Sequence, residues 1–353
     1  MHYMKRYLLV LAFLIAFNTY SNAQDGRTLK VFQLNLWGAT TNVPGGEAGA
    51  ADILAEMDAD IVLLCEATAG RDTSLVRRLA RNLSERGLDY HVLGSGHPVC
   101  MLTRTEPESV EWTCIVPGNE ERAILKVILG IGRREVAVYS AHLDHRHYAC
   151  YFPRGYSGTT WKKLGSPVTD EASILGSNRE SYRDESIRAF LEEAGKDVAA
   201  GRTVILGGDF NEPSHLDWGE NTSGLRDHRG ASVRWDCSSM LEEAGFTDAY
   251  RKVHPDPVAC PGITYPAGNA EAEKAGLNRL SWAPEADERE RIDFIYYFSP
   301  DPSFSVRSCT VTGPAATVVR NRIVPDEDPG QVIVPDAVWP SDHRGNLAVF
   351  VLK

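Results

Sequence analysis

Beyond the first two dozen residues, no stretch reaches the ~18 consecutive apolar residues that a membrane-spanning helix needs. No CxxC pair occurs among the seven cysteines, Cys65, Cys100, Cys114, Cys150, Cys237, Cys260 and Cys309, so neither a zinc knuckle nor a thioredoxin-like site is indicated. Basic tracts are missing too. The chain has 37 Lys and Arg against 48 Asp and Glu, a formal charge of −11. A field of that sign repels long phosphate backbones, and no Lys/Arg stripe interrupts it, so nucleic acid is not a favoured partner. No internal repeat and no long linker divides the chain. Its 353 residues, 43% of them hydrophobic, therefore read as one large globular domain.

What is present begins with a leader. Lys5 and Arg6 precede an apolar run from Tyr7 to Phe17, and a polar stretch ends in Ser21, Asn22 and Ala23. Residues 1–23 thus form a signal peptide cleaved after Ala23, with an uncleaved anchor as the alternative. The mature domain, residues 24–353, is expected to be secreted or periplasmic, monomeric and without stable membrane insertion. Export permits disulfides, but the odd cysteine count leaves at least one thiol free. Cys65, inside an apolar run, reads as a core residue, whereas Cys150 lies in an aromatic loop where pairing is feasible.

Periodicity places a strand at Leu29 to Leu36, a helix at Glu47 to Met57 and a buried strand at Ile61 to Cys65, an α/β beginning. A helix capped by Thr73 and stopped by Gly87 follows, then short antiparallel strands up to Ser140. Residues 146–178 are an aromatic, glycine-rich insertion, too long for an idle loop and too aromatic for disorder. A helix from Tyr182 leads to the strand of Thr203 to Leu206. The stretch from Arg251 to Arg289 reads as loop. Arg291 to Tyr297 is a strand with Phe304 to Val311 as its expected neighbour, and Leu347 to Val351 closes the chain. Two layers of sheet between helices fit this order best.

Polar residues capable of chemistry recur where the apolar strands end: Asn35, Glu66, His142, Asp209, Asn211, Asp293, Asp342 and His343. Any one of them alone is ordinary turn chemistry. In series they are not, because strand ends of a folded sheet converge on one crevice. Glu66, Asp342 and Asn35 supply the oxygens a hard divalent cation prefers. Asp209 and Asn211, two apart on an extended segment, face one side together and suit a water and a phosphoryl oxygen. His343, oriented by Asp293, becomes a general base, and His142 a donor to a phosphoryl oxygen. His145 and His147 read as solvated loop histidines, the alternative being an extension of the metal site.

The runs LNLWG, VLLCEA, YSAHLDH, ILGGDFNEP, RIDFIYY and SDHRG, in that order, resemble the endonuclease/exonuclease/phosphatase superfamily. This is the metal-dependent fold of deoxyribonuclease I, abasic-site endonucleases, inositol polyphosphate 5-phosphatases and neutral sphingomyelinases. Thr264 and Tyr265 match its Thr-aromatic-x-Pro signature. The resemblance implies a four-layer α/β sandwich, two central mixed β-sheets flanked by helices, with the site at their shared rim. It implies Asp209 as the group that orients water, Asn211 as a phosphate ligand and His343–Asp293 as the His-Asp pair. Glu66, Asn35 and Asp342 would hold Mg2+, or Mn2+. His142 matches a histidine of the deoxyribonuclease I-like, phosphatase and sphingomyelinase branches. Arg122, Asp144, Tyr156, Trp161 and Lys162 are the expected substrate contacts.

The expected activity is hydrolysis of a phosphodiester or phosphomonoester in a small-molecule, sugar or lipid phosphate. A secreted nuclease acting on DNA or RNA is the rival enzyme reading. A catalytically inactive binding protein on the same fold is the rival outside catalysis, although none of the expected catalytic residues has been lost.

Overall fold

Alternation along the first strands decides the layers. In β1 (Arg27–Asn35) Leu29 and Val31 face one core, while Phe32 and Leu34 face another. In β2 (Ile61–Cys65) Ile61 and Leu63 join the first core and Val62 and Leu64 the second. A strand with two apolar faces must be covered twice. In this computed structural model, which describes residues 27–276 and 280–352, both faces are covered. The expected signal peptide lies outside the described residues.

The remaining strands, in chain order, are β3 (His91–Leu93), β4 (Cys100–Thr103), β5 (Pro107–Thr113), β6 (Ile124–Ile131), β7 (Arg134–His142), β8 (Thr203–Asp209), β9 (Thr247–Asp248), β10 (Asp293–Phe298), β11 (Phe304–Thr312), β12 (Ala316–Val319), β13 (Arg322–Pro325), β14 (Val332–Ile333) and β15 (Gly345–Leu352). One mixed sheet runs β14-β11-β15-β1-β2-β4-β3, the other β5-β6-β7-β8-β10-β9, and β12 and β13 form a separate hairpin. Their facing sides share one core that includes Val31, Leu63, Val138, Ile205 and Phe350. Helices α1 (Gly46–Met57) and α2 (Leu75–Glu85) pack Leu54 and Leu79 on the back of the first sheet. After α3 (Glu171–Asn178), helices α4 (Arg183–Ala199) and α5 (Asp236–Glu243) pack Phe190 and Leu241 on the back of the second. This is the expected four-layer sandwich.

Three expectations need correction. β11 pairs with β15 and β14 in the first sheet, not with β10, because β8 and β9 already occupy both flanks of β10. The stretch from Arg251 to Arg289 is not all loop: α6 (Ala249–Val253) reaches into it, and α7 (Ala270–Lys274) lies within it. The Asp248 and Asn269 side chains cap them by accepting N–H bonds. Cys150 is fully buried with a free thiol, as are five of the other cysteines, and Cys260 is free and half-buried.

The insertion of residues 146–178 builds a core of its own. Tyr148, Cys150, Tyr151 and Tyr156 pack with Trp218, Trp235, Tyr265 and Ile292. Its centre is a buried ion pair between Arg154 and Glu290 at 2.6 Å, with Trp218 Nε1 donating to the other Glu290 oxygen at 3.0 Å.

Candidate active site

Register brings the strand ends together. Asn35 lies opposite Cys65, so Glu66 follows at the edge of the same parallel pair. His142 lies opposite Asp209 across β7 and β8, and Asp209 opposite Asp293 across β8 and β10. The two glycines before Asp209 make this closeness feasible. A Cβ at Gly207 would lie 2.5 Å from Leu63 Cδ1 of the other sheet, and one at Gly208, whose φ is +150°, 1.8 Å from the Ala141 carbonyl oxygen. The chain then turns at Asn211, and the equivalent turn after β2 falls on Glu66; both hold positive φ, at 50° and 52°. Non-glycine residues rarely sit there without a surrounding structure that enforces it.

His343 Nδ1 meets Asp293 Oδ2 at 2.8 Å. The other Asp293 oxygen accepts from Gln33 Nε2 at 2.8 Å, and the Thr264 hydroxyl accepts the N–H groups of Ile292 and Asp293. Tyr265 packs its ring on His343, centroids 4.9 Å apart. The imidazole is therefore fixed with Nδ1 as donor and Nε2 turned to Asp209 Oδ2 and Asp342 Oδ1, each 3.9 Å away. Burial opposes a charge on His343. Asp293, Asp209 and Asp342 outweigh that and raise it well above the ordinary histidine range.

Four carboxylates crowd this rim. Burial, aided by Asp293 and Glu66 and opposed by His343, pushes Asp209 up to about 7. Burial, with Glu66 and Asp209 adding to it and His343 opposing, pushes Asp342 up to about 7 as well. Asp342 Oδ1 is buried and accepts no hydrogen bond. An unpartnered buried carboxylate oxygen in an electronegative rim is what a hard cation would relieve, so the residues fit the divalent metal that the motifs imply. Asp209, Asp293 and His343 also bring ligand-type atoms within 4.8 Å of one another. Asp293, however, is fully buried with both oxygens bonded. Glu66, although it accepts from Asn35 and from the Gly38 N–H at 2.8 Å, is a third exposed on the cavity, so Glu66 and Asp342 are the better holders. Asn35 differs from the expectation of an oxygen ligand. Its Oδ1 accepts from Trp37 N–H at 2.9 Å, and its amide hydrogens clamp Glu66 Oε1 at 3.1 Å and Asp209 Oδ2 at 3.0 Å.

On the opposite side Arg122 Nη1 lies 2.8 Å from His142 Nδ1. A guanidinium only donates, so Nδ1 accepts and the imidazole proton resides on Nε2. Burial, then Arg122, His343 and His145, hold His142 well below the usual histidine range, so it is neutral. Its Nε2–H stands 3.6 Å from Asp209 Oδ2. Asn211 donates its backbone N–H to Asp209 Oδ1 at 2.8 Å and one amide hydrogen to the Leu143 carbonyl at 3.1 Å, leaving the second for a ligand.

Glu66, Arg122, His142, Asp209, Asn211, Asp342 and His343 border a cavity of about 550 Å³, with Gln33, Asn35 and Asp293 fully buried behind them. Of the expected substrate contacts, Arg122 and Trp161 line it and three do not. Asp144 is buried, bonded to Arg146 at 2.8 Å and to the Tyr182 N–H, and so fastens the start of α4. Tyr156 is buried in the insertion core, where its hydroxyl accepts from Glu285 N–H. Lys162 is exposed and lies off the cavity. His145, read as a solvated loop residue, does line the cavity, with Nδ1 3.3 Å from Arg122 Nη2, whereas His147 turns away to Glu180. Gln33, Trp37 and Trp282 belong to the site although the sequence pattern does not single them out. For Gln33 a signal exists: a polar residue two before Asn35 on an otherwise apolar strand points to the same face.

Known proteins bear on the fold and the family. A protein of Caenorhabditis elegans called uncharacterized protein F14F9.5 is 28% identical over 305 residues, 83% of this chain and 85% of that protein. Among solved structures, truncated TDP2 of Caenorhabditis elegans shares 16% identity at a TM-score of 0.52, over 92% of this chain and 97% of that one. TDP2 of D. rerio, complexed with single strand DNA product, gives the same identity and score over 92% and 98%. An endonuclease/exonuclease/phosphatase from Beutenbergia cavernae shares 19% at a TM-score of 0.50, over 92% and 72%. These structural likenesses speak to the fold alone. Residues 32–343 match the model of the Endonuclease/Exonuclease/phosphatase family, and the chain belongs to that family, whose members are generally phosphoesterase hydrolases and typically depend on a divalent metal.

Proposed function

We propose that this protein is an exported hydrolase that cleaves a phosphodiester or phosphomonoester in a small-molecule, sugar or lipid phosphate, with Mg2+ or Mn2+ at Glu66 and Asp342. The observation that carries this reading is one rim that gathers a fixed His343–Asp293 pair, an Asp209 carboxylate within 3.9 Å of it and a neutral His142 with its proton on Nε2. Asp209 accepts a hydrogen bond from the attacking water and so orients it. Asp209, pushed up to about 7, is where the proton removed from that water is held, and the charged His343 beside it, 3.9 Å away, steadies the carboxylate. His142 Nε2–H and the spare Asn211 amide hydrogen donate to non-bridging phosphoryl oxygens as the phosphorus–oxygen bond to the leaving group breaks. A divalent cation, when bound, supplies Lewis-acid polarisation of the phosphoryl group and neutralises its developing charge.

The size of the cavity, about 550 Å³, and the charge of −11 favour a small ester over a polymer. Export rests on the basic and apolar leader that ends at Ala23. Among the described residues no helix is long and apolar enough to cross a membrane. The nuclease reading keeps one supporting observation, the likeness to a TDP2 structure that contains a single-stranded DNA product.

The test is a panel on the mature chain, with and without chelator, in Mg2+ and in Mn2+. It compares bis-(p-nitrophenyl) phosphate, sugar phosphates, sphingomyelin, phosphatidylinositol species, RNA and plasmid DNA. Metal-dependent turnover of small esters that disappears in Asp209→Ala is expected. Efficient plasmid nicking would transfer the assignment to the nuclease, and metal-independent activity unchanged in Asp209→Ala would end it.

A further inference from the structure

A ladder of aromatic rings leads away from the reacting groups. Tyr148 meets Tyr151 edge-on at 4.9 Å, Tyr151 meets Trp161 edge-on at 5.6 Å, and Trp161 meets Trp282 tilted at 5.5 Å. All four side chains border the same cavity as Asp209 and His343. The inner end is fixed, since Tyr148 and Tyr151 are buried and the Tyr151 hydroxyl bonds Glu288. The outer end is open, with Trp282 45% exposed. Nearly half of this indole therefore meets solvent at the mouth of the cavity, within reach of a ring on the substrate.

Resting on the phosphoesterase reading, we propose that Tyr151, Trp161 and Trp282 form the subsite for a flat, uncharged ring attached to the phosphate: a nucleobase or the C–H face of a sugar. Placement supports this. Arg122, His142 and His145 occupy the phosphate side of the cavity, so an ester bound there must run its organic part elsewhere, and the aromatic ladder offers a matching wall. Size supports it, because about 550 Å³ holds a phosphate and one ring group. The rim argues against a lipid surface. Of the exposed large apolar side chains among the described residues, Val110, Ile115, Val258, Val324, Val334 and Val338 lie away from the cavity and only Trp282 borders it. A membrane-docking mouth would need several such anchors together. Rings stack on indole through their faces whatever their edge pattern, so the ladder selects shape before sequence or stereochemistry.

The experiment uses three methyl esters that share one charged diester: those of adenosine 5′-phosphate, of glucose 1-phosphate and of glycerol 3-phosphate, which has no ring. With Mn2+ or Mg2+ present, at least one ring-bearing ester should show a KM about tenfold below that of the glycerol ester. Trp282→Ala should erase that advantage while kcat changes less than about twofold, and Trp282→Phe should restore most of it. Whichever ring forfeits its advantage identifies the source. Equal KM values for ringed and ringless esters, or equal effects of Trp282→Ala on both, would overturn the subsite. Saturation-transfer NMR with adenosine and with methyl glucoside, neither of which carries phosphate, separates the two hypotheses. Saturation transfer to either ring that disappears in Trp282→Ala supports the ladder even if no ester is hydrolysed. No transfer to either ring counts against it even if esters are.

Discussion

Two walls enclose one cavity, and they are made differently. The reactive wall comes from strand ends, where Asn35, His142, Asp209 and Asp293 are placed by ladder register across two sheets. The aromatic wall comes from irregular chain, where Tyr151 and Trp161 from the insertion meet Trp282 from a distant loop. Register tolerates little: the reactive groups are buried, hydrogen-bonded and crowded by like charge. The aromatic wall is held by a separate core around Arg154 and Glu290, and its outer end reaches solvent. On the proposed reading, the sheets fix the chemistry and the irregular chain beside them sets the selectivity.

Four expected outcomes test that division. The largest is catalytic. Asp209→Asn should lower kcat by about 10³-fold or more, and because it removes one of several crowded buried carboxylates its Tm should hold or rise. A matching loss of Tm would mean that the charge is structural. Next, Gly208→Ala should destabilise the whole fold by more than about 3 kcal/mol in denaturant unfolding, because its Cβ would meet the Ala141 carbonyl oxygen at 1.8 Å. A mild effect there would show that β7 and β8 are less tightly constrained at the site than the glycine indicates.

The third outcome concerns the separate core. Burial works against the Glu290 carboxylate, but Arg154, His228 and Arg226 overrule it and hold it at about 2, below the ordinary 4.5. A carboxylate depressed in the folded state adds stability above its unfolded value, and that contribution is lost as pH falls from about 4.5 through about 2. Acid melts of the wild type should therefore lose about 3 kcal/mol over that window. Glu290→Gln should remove that part of the slope and cost about 3 kcal/mol at neutral pH, since Arg154 would stay buried without its counter-charge. Smallest is Gln33→Ala, which leaves Asp293 Oδ1 without its donor. A fall in kcat of about tenfold is expected, with a shifted pH–rate profile and an unchanged KM. A change in KM alone would refute a positioning role.

The same division explains what could be read from the chain. Strand ends announce themselves because an apolar run followed by Asp, Asn, Glu or His is a local pattern, and Glu66, His142, Asp209 and His343 fall on the cavity wall, with Asp293 buried behind His343. The layers followed from alternation in the same strands. The placement of β11 did not, since which sheet takes a strand depends on which flanks are already occupied. Asp144 and Tyr156 have the chemistry of ligands but are used up by Arg146 and by the insertion core. Trp282 lies in a segment with no periodicity, and its partner Trp161 is far away in the chain, so only the folded arrangement reveals it. Asn35 lies beside Glu66 and Asp209, but the direction of its amide is decided by the Trp37 N–H.

The glycine pair before Asp209 has one more consequence. Gly207 lies against Leu63 of the other sheet and Gly208 against Ala141 of the neighbouring strand β7, so neither position leaves space for a methyl group, and β8 is buried along its whole length. The amides around Asp209 should then exchange with deuterium only when the entire molecule opens, whereas those beside Trp161 and Trp282 exchange through smaller, local excursions. On warming, such an enzyme would lose discrimination between esters before it loses the capacity to cleave them.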